Sequence, residues 1–229
     1  MKKILLIILA ILGSLNCIGQ SVRQMVIYRK GMEPFIIRMA EVDSIAVVDS
    51  VGDPYRAVDL GLSVKWAACN VGATKPEECG DYFAWGETAT KETFTSENYV
   101  PQMNGTVNMM KTDIAGTEYD AAHAVWGLEW RMPTLAEVDE LSTRCTWEAT
   151  TVNGVKGLCI TGPTGNSIFL PAAGQKRETV IELGTMGYYW TSTPSLEYST
   201  AAMNLNFAGY DNHWSANRAY GFSIRAVKE

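Results

Sequence analysis

Apolar and polar positions fall into three regimes along the chain. The first is an unbroken apolar run, Ile4 to Leu12, behind Met1-Lys2-Lys3. A basic tip followed by a short apolar core is the build of a secretory signal. The run is far shorter than the roughly twenty residues a spanning helix needs. Small residues at Cys17 and Gly19 suit a cut before Gln20. Cys17 is also placed for a lipid anchor, with Leu15 in favour of that reading and Asn16 against it. The expectation is an exported chain, in the periplasm, at the outer-membrane surface or secreted, without a transmembrane span.

The second regime, residues 22–48, carries three short β-forming stretches. Val22 to Arg29 and Pro34 to Met39 flank the turn Lys30-Gly31-Met32-Glu33, and Ile45 to Val48 follows a short polar turn. This predicts a hairpin plus one strand, too small to be stable alone. Asp49 to Pro54 reads as a polar linker.

The third regime is long and mixed. Leu62 to Trp66 reads as a strand, and residues 86–119 as long loops with short strands. Tyr119 to Trp126 predicts a short helix capped by Asp120. Thr134 to Ser142 predicts a second helix, with Thr134 and Glu137 in a capping box and Leu135, Val138 and Leu141 on one apolar face. Strands are expected at Gly157 to Thr161, Ser167 to Pro171, Tyr188 to Ser192, Met203 to Phe207 and Ala219 to Val227, with a turn over Gly162 to Asn166. Strands are not separated by regular helices, so a doubly wound sheet is not expected; the class is α+β. The organisation is a signal peptide at 1–19, a β-hairpin segment and linker at 20–52, and a main domain at 53–229.

Composition narrows the possibilities. Removing 19 of 229 residues leaves 210; loss of Lys2 and Lys3 moves the net charge from −6 to −8. An acidic chain lacks the basic footprint of a nucleic-acid binder. At 47% hydrophobic and 19% charged residues, the chain is built to fold. Cys69, Cys79, Cys145 and Cys159 allow three disulfide connectivities in an exported protein, or free buried thiols. With no close cysteine pair and with His123 and His213 far apart, no zinc site is read.

Several blocks, in order, resemble a known family: Val58 to Ala67, Asn70 to Ala73, Gly80 to Glu87, Trp130 to Thr134, Ile168 to Gly174, Gly187 to Trp190 and Tyr220 to Arg225. Together they resemble the Fibrobacter succinogenes major paralogous domain, found in exported bacterial proteins. The resemblance spans about residues 55–229 and implies a C-type-lectin-like domain with few helices, short strands and long loops. Residues 22–48 resemble a short hairpin placed before such domains. The family implies no settled activity. Arg131 to Thr134 and Gly221 to Arg225 also resemble structural parts of formylglycine-generating enzymes. Those enzymes use a late copper-binding cysteine pair, whereas the last cysteine here is Cys159. Relative to the family pattern Cys79 and Cys159 are unusual and could pair with each other; Cys69 with Cys145 is equally open.

The candidate chemistry is thin. His123 lies in an alanine-rich helix and is expected to be packed, and no nucleophile-elbow pattern surrounds Ser192 or Ser195. Glu137, Asp139 and Glu140 are expected on the solvent side of their helix, and Glu87 as a buried acceptor for loop amides. Trp66, Trp85, Trp130 and Trp190 are assigned to packing. The signatures of calcium-dependent sugar binding are absent, so no metal, cofactor or catalytic residue is expected. The candidate ligand-binding residues are Tyr198, Asn206, Tyr210, Asp211, Asn212, His213 and Trp214, in a polar aromatic segment, 194–217, read as a loop. The alternative is that this loop only folds over the core. The functional expectation is an exported, non-catalytic binding module of the cell envelope, recognising a glycan or a surface protein. The alternatives are a structural or fimbria-associated surface subunit and, further off, an enzyme of unknown class.

Overall fold

The structure is a computed structural model that describes residues 24–27, 35–38, 55–105, 111–127, 129–207 and 211–229, with the backbone alone for 24–27, 35–38 and 211–214. The leader, Cys17, the strand expected at Ile45 to Val48 and Tyr210 lie outside the described residues. The chain divides into two compact units at Asp49 and Ser50. In the first, β1 (Gln24–Ile27) pairs antiparallel with β2 (Phe35–Arg38), setting Val26 opposite Ile36 and Ile27 opposite Phe35. This is the hairpin expected around the turn at Gly31.

The second unit is α+β, with a few short helices and many short antiparallel strands in small sheets. Its strands begin with β3 (Ala57–Val58) and β4 (Lys65–Ala67), joined at the end of the chain by β13 (Val227–Lys228) in the order β13-β4-β3. A second sheet is the meander β5 (Thr146–Val152), β6 (Val155–Thr161) and β7 (Ser167–Pro171). A third is β10 (Gly187–Pro194), β11 (Ala201–Phe207) and β12 (Asp211–Asn217). Between them sits the two-stranded β8 (Gln175–Lys176) and β9 (Val180–Ile181).

Both predicted helices are present. In α2 (Ala121–Trp126) the Asp120 side chain accepts from the His123 amide; the same carboxylate accepts from Gly116 N and Met132 N, tying three segments to one cap. In α3 (Leu135–Arg144) the capping box forms as its residues dictate: Glu137 N donates to Thr134 Oγ1, and Thr134 N donates to the Glu137 carboxylate. Val138 and Leu141 are buried, while Leu135 is half-buried. The stretch 86–119 differs from expectation. Among its described residues it holds a 3-10 turn (Ser96–Asn98) and α1 (Val100–Met103) but no strand. Its polar side chains satisfy the backbone locally: Thr95 N donates to Asn98 Oδ1, and the Asn98 amide donates to Thr93 O.

Two strands depart from the sequence reading. β5 was not expected, yet its turn is written plainly: Asn153 and Gly154 connect it to β6, with φ of +49° and +85°. Two positive φ angles make the hairpin turn that matches strand twist, and Asn-Gly is its strongest sequence signal. At the other end, Ala219 to Val227 forms no continuous strand. The segment instead makes single bridges in succession: Gly221 with Lys176, Phe222 with Phe83, Ser223 with Tyr189, and Val227 with Arg131. It is the spine to which the small sheets attach.

Arg225 fixes the middle of that spine. Its side chain is buried and donates from Nε to Asn70 Oδ1, from Nη1 to the carbonyls of Ala67 and Ala68, and from Nη2 to the carbonyl of Phe169, at 2.7–3.0 Å. Burial pushes its pKa down to about 10, so the group stays charged at neutral pH. The aromatic strand packs beside it. Trp190 is fully buried, stacks on Phe222 at 4.2 Å and donates to Phe83 O; Tyr189 donates to Pro171 O. Trp66, Trp85 and Trp130 are buried as expected. Trp126 and Trp147 are only half-buried, so not every tryptophan is interior.

Candidate functional site

The expected ligand-binding residues do not form one loop. Residues 201–207 and 211–217 are strands β11 and β12 of a hairpin, with Asn206 opposite Asn212, Phe207 opposite Asp211, Leu205 opposite His213 and Asn204 opposite Trp214. Leu205 and Phe207, two apart, share one face and Ala202 lies on the other; all three are buried and hold the strand against the core. Tyr198 lies in the turn before β11 and is 54% exposed, with its amide bonded to Ser195 Oγ. Asn206 lies at the far end of the same strand and is half-buried. Six residues of extended chain place about 20 Å between the two ends. Tyr198 therefore belongs to a different surface from Asn206, Asp211 and Asn212. For Asp211, Asn212, His213 and Trp214 the backbone register is what the structure provides.

The groups considered for catalysis are committed to structure. Glu87, 8% exposed, accepts from Val100 N and pairs with Lys91, the loop-amide role expected of it. Ser192 is buried and donates to Pro133 O. Glu137 is not free on a solvent face: Arg131 holds it with two bonds of 2.6 and 2.8 Å. Glu140 accepts from the Ser63 amide and hydroxyl and pairs with Arg144. His123 is half-buried in α2. Cys69, Cys79, Cys145 and Cys159 are all free thiols, and burial raises the pKa of the first three. No cluster of three metal-ligating side chains occurs among the described residues, and no described helix is long and apolar enough to cross a membrane.

A surface that the sequence reading missed lies beside the β8–β9 hairpin. A groove of about 390 Å³ is lined by Phe94, Thr95, Ser96, Arg177, Thr179 and Tyr220, with Glu178 and Ile181 completing its wall. Its construction starts at the backbone. Lys176 and Gly221 exchange both amide bonds, at 2.8 and 2.9 Å, which puts Arg177 and Tyr220 directly across from each other. The Arg177 guanidinium lies 3.8 Å from the Tyr220 ring centroid. The Arg177 main chain is pinned on both sides, its amide bonded to Thr179 O and its carbonyl accepting from Phe94 N. Phe94 packs flat on Gly221, where an added Cβ would sit 2.8 Å from the ring, so the floor requires glycine.

The groove lining carries one base, Arg177, and one acid, Glu178, with two further bases behind it. Lys91, Lys176 and Arg177 gather around the Phe94 and Tyr220 rings. Lys91 has Glu87 as its ion-pair partner. Arg177 has no carboxylate partner among the described residues. Its Nε donates a long bond to Gln175 Oε1, and its Nη–H donors are unspent. Nothing in the local sequence announces this, because Arg177 meets Tyr220 through a pairing 43 positions apart. The clue was a lone basic residue in the short polar turn Arg177-Glu178-Thr179. A second groove of about 420 Å³, on β5 and β6 around Thr150, Lys156 and Phe207, offers no comparable fixed charge.

No protein-family model, curated protein or solved structure matches the chain.

Proposed function

We propose that this protein is an exported, non-catalytic binding module of the cell envelope, built on a C-type-lectin-like domain of the major paralogous kind, and that it recognises a glycan or surface polymer. The observation that carries this reading is the groove itself. A guanidinium with unspent donors is held over the Tyr220 ring, on a pinned backbone, beside Thr95, Ser96 and Thr179. Rigid polar donors set against aromatic and apolar carbon suit a polyhydroxylated ligand. The acids and hydroxyls that could have served catalysis are instead engaged in caps, ion pairs and loop amides. The ordered family blocks, Val58 to Arg225, support the fold assignment.

The test is an oligosaccharide array probed with the full chain. Binding should appear for a defined glycan set, fall in Tyr220→Ala, and persist in Leu196→Ser, a change at a residue 98% exposed and outside the groove lining. Binding that is indifferent to Tyr220→Ala would reject the groove as the site.

A structural surface subunit is the second reading, favoured by one feature. The hairpin β1–β2 is a two-stranded sheet in a unit of its own, and such a pair gains stability when a further strand adds to its edge. Deleting residues 22–48 would then abolish co-purification of envelope partners while leaving glycan binding intact.

A further inference from the structure

We infer that the groove beside the β8–β9 hairpin binds a carboxylate-bearing sugar, a uronic acid unit of an acidic polysaccharide, with Arg177 as the group that receives the carboxylate. The inference rests on the binding-module reading above and specifies its ligand class.

Arg177 is the first reason. A guanidinium is permanently charged and presents parallel N–H donors that match a carboxylate in plane and spacing. Most surface arginines spend those donors on a neighbouring acid. Here the single acid in the lining, Glu178, forms no ion pair with Arg177 even though it is the next residue. The Nη edge is therefore available to a ligand, and the stack on Tyr220 removes much of the side-chain entropy that binding would otherwise cost. Lys176, held over the Phe94 ring and bonded to Lys91 O, adds a second positive charge without an acid partner among the described residues.

The rest of the wall separates a sugar from other anions. Ser96 and Thr179 place two hydroxyls around the groove, each able to donate and accept as a sugar hydroxyl requires, while the Thr95 hydroxyl is already engaged by Asn98 and Glu97. Ile181, 39% exposed, and the half-buried Tyr220 ring supply carbon for the C–H face of a pyranose. The volume, about 390 Å³, lies in the range of small-ligand sites, roughly 300–1,000 Å³. An acidic peptide would need more apolar wall than two side chains. A free phosphate or sulfate would leave the apolar carbon of Ile181 and Tyr220 without a role.

The experiment is calorimetric titration of the full chain with four probes: a galacturonic acid tetramer, its neutral galactose counterpart, a sulfated galactose tetramer and a glutamate tetramer. The galacturonate should bind best, and its affinity should fall as salt is raised, because the attraction is screened. Arg177→Gln should weaken it about tenfold or more, the factor expected from losing a charge-assisted bond. Arg177→Lys, which keeps the charge but not the fork, should fall between. Glu178→Gln should tighten binding by removing a like charge. Both side chains are exposed, and an unchanged thermal melt would show that each variant is folded.

Galacturonate binding that Arg177→Gln leaves unchanged overturns the inference. So does preferential binding of the sulfated or the glutamate probe. Binding of the neutral tetramer alone, still lost in Tyr220→Ala, overturns the uronate while leaving the glycan-binding proposal standing. No binding of any sugar probe overturns the uronate, and the glycan-binding proposal then stands or falls on the array.

Discussion

Replacing Arg225 by methionine tests how this fold is held together. The side chain joins three segments: residues 67–70, the middle of β7 at Phe169, and its own spine. It makes four hydrogen bonds from a charged donor, each contributing ~1.5–3 kcal/mol. The gross stabilisation is therefore about 6–12 kcal/mol. Taking a guanidinium out of water costs several kcal/mol, and methionine avoids that cost. Methionine also keeps much of the buried stem but leaves carbonyl oxygens at 67, 68 and 169 short of a donor. The net loss expected for R225M is about 3–6 kcal/mol, a large part of the ~5–15 kcal/mol total stability of an ordinary domain. Each kcal/mol moves Tm by roughly 2–4 °C at this size, so a fall of about 6–24 °C is expected. Urea denaturation, followed by tryptophan fluorescence, should show a lower midpoint with little change in slope. R225K should lose at least half as much, because one ammonium cannot serve carbonyls on separate segments as a planar fork does. An R225M melting temperature within about 2 °C of the parent would refute the reasoning, since at this size that is under about 1 kcal/mol.

Two further changes test local claims. Burial acts to raise the Glu137 carboxyl, but the Arg131 guanidinium and the Thr134 amide outweigh it and hold it below the ordinary carboxylate range. A carboxyl whose folded pKa is depressed adds stability above its unfolded pKa, roughly 4.3, and loses it as pH falls through the folded value. E137Q should therefore cost about 1–2 kcal/mol at pH 7, and the gap to the parent should close as pH drops below about 4; a gap independent of pH would contradict the ion-pair account. At Gly154, φ is +85° and nothing lies near an added Cβ, so G154A isolates backbone strain. It should cost about 1–2 kcal/mol in urea denaturation, and no loss would mean the β5–β6 turn is not of the Asn-Gly type.

Local interactions made much of this protein legible from its sequence. Thr134 with Glu137, and Asp120 ahead of Ala121, announced two helices because a cap involves residues only a few positions apart. The Gly31 region signals the first hairpin, and Asn153-Gly154 signals the β5–β6 hairpin. The packed roles of Trp66, Trp85, Trp130 and Trp190 were readable from their bulk and from the blocks that hold them.

What the tertiary structure decided depends on pairings across long stretches of chain. Residues 219–227 have strand-like composition, yet Gly221, Phe222, Ser223 and Val227 each meet a different partner, so no period records the arrangement. The segment read as one binding loop became a hairpin whose ends are a full strand apart, because burial of Leu205 and Phe207 outweighed the polar residues between them. The groove exists only because Lys176 bridges Gly221 and so sets Arg177 on Tyr220. Sequence fixes which side chains are available and how the chain turns locally. Which of them share a surface is settled by the cooperative burial of distant segments around Arg225 and Trp190.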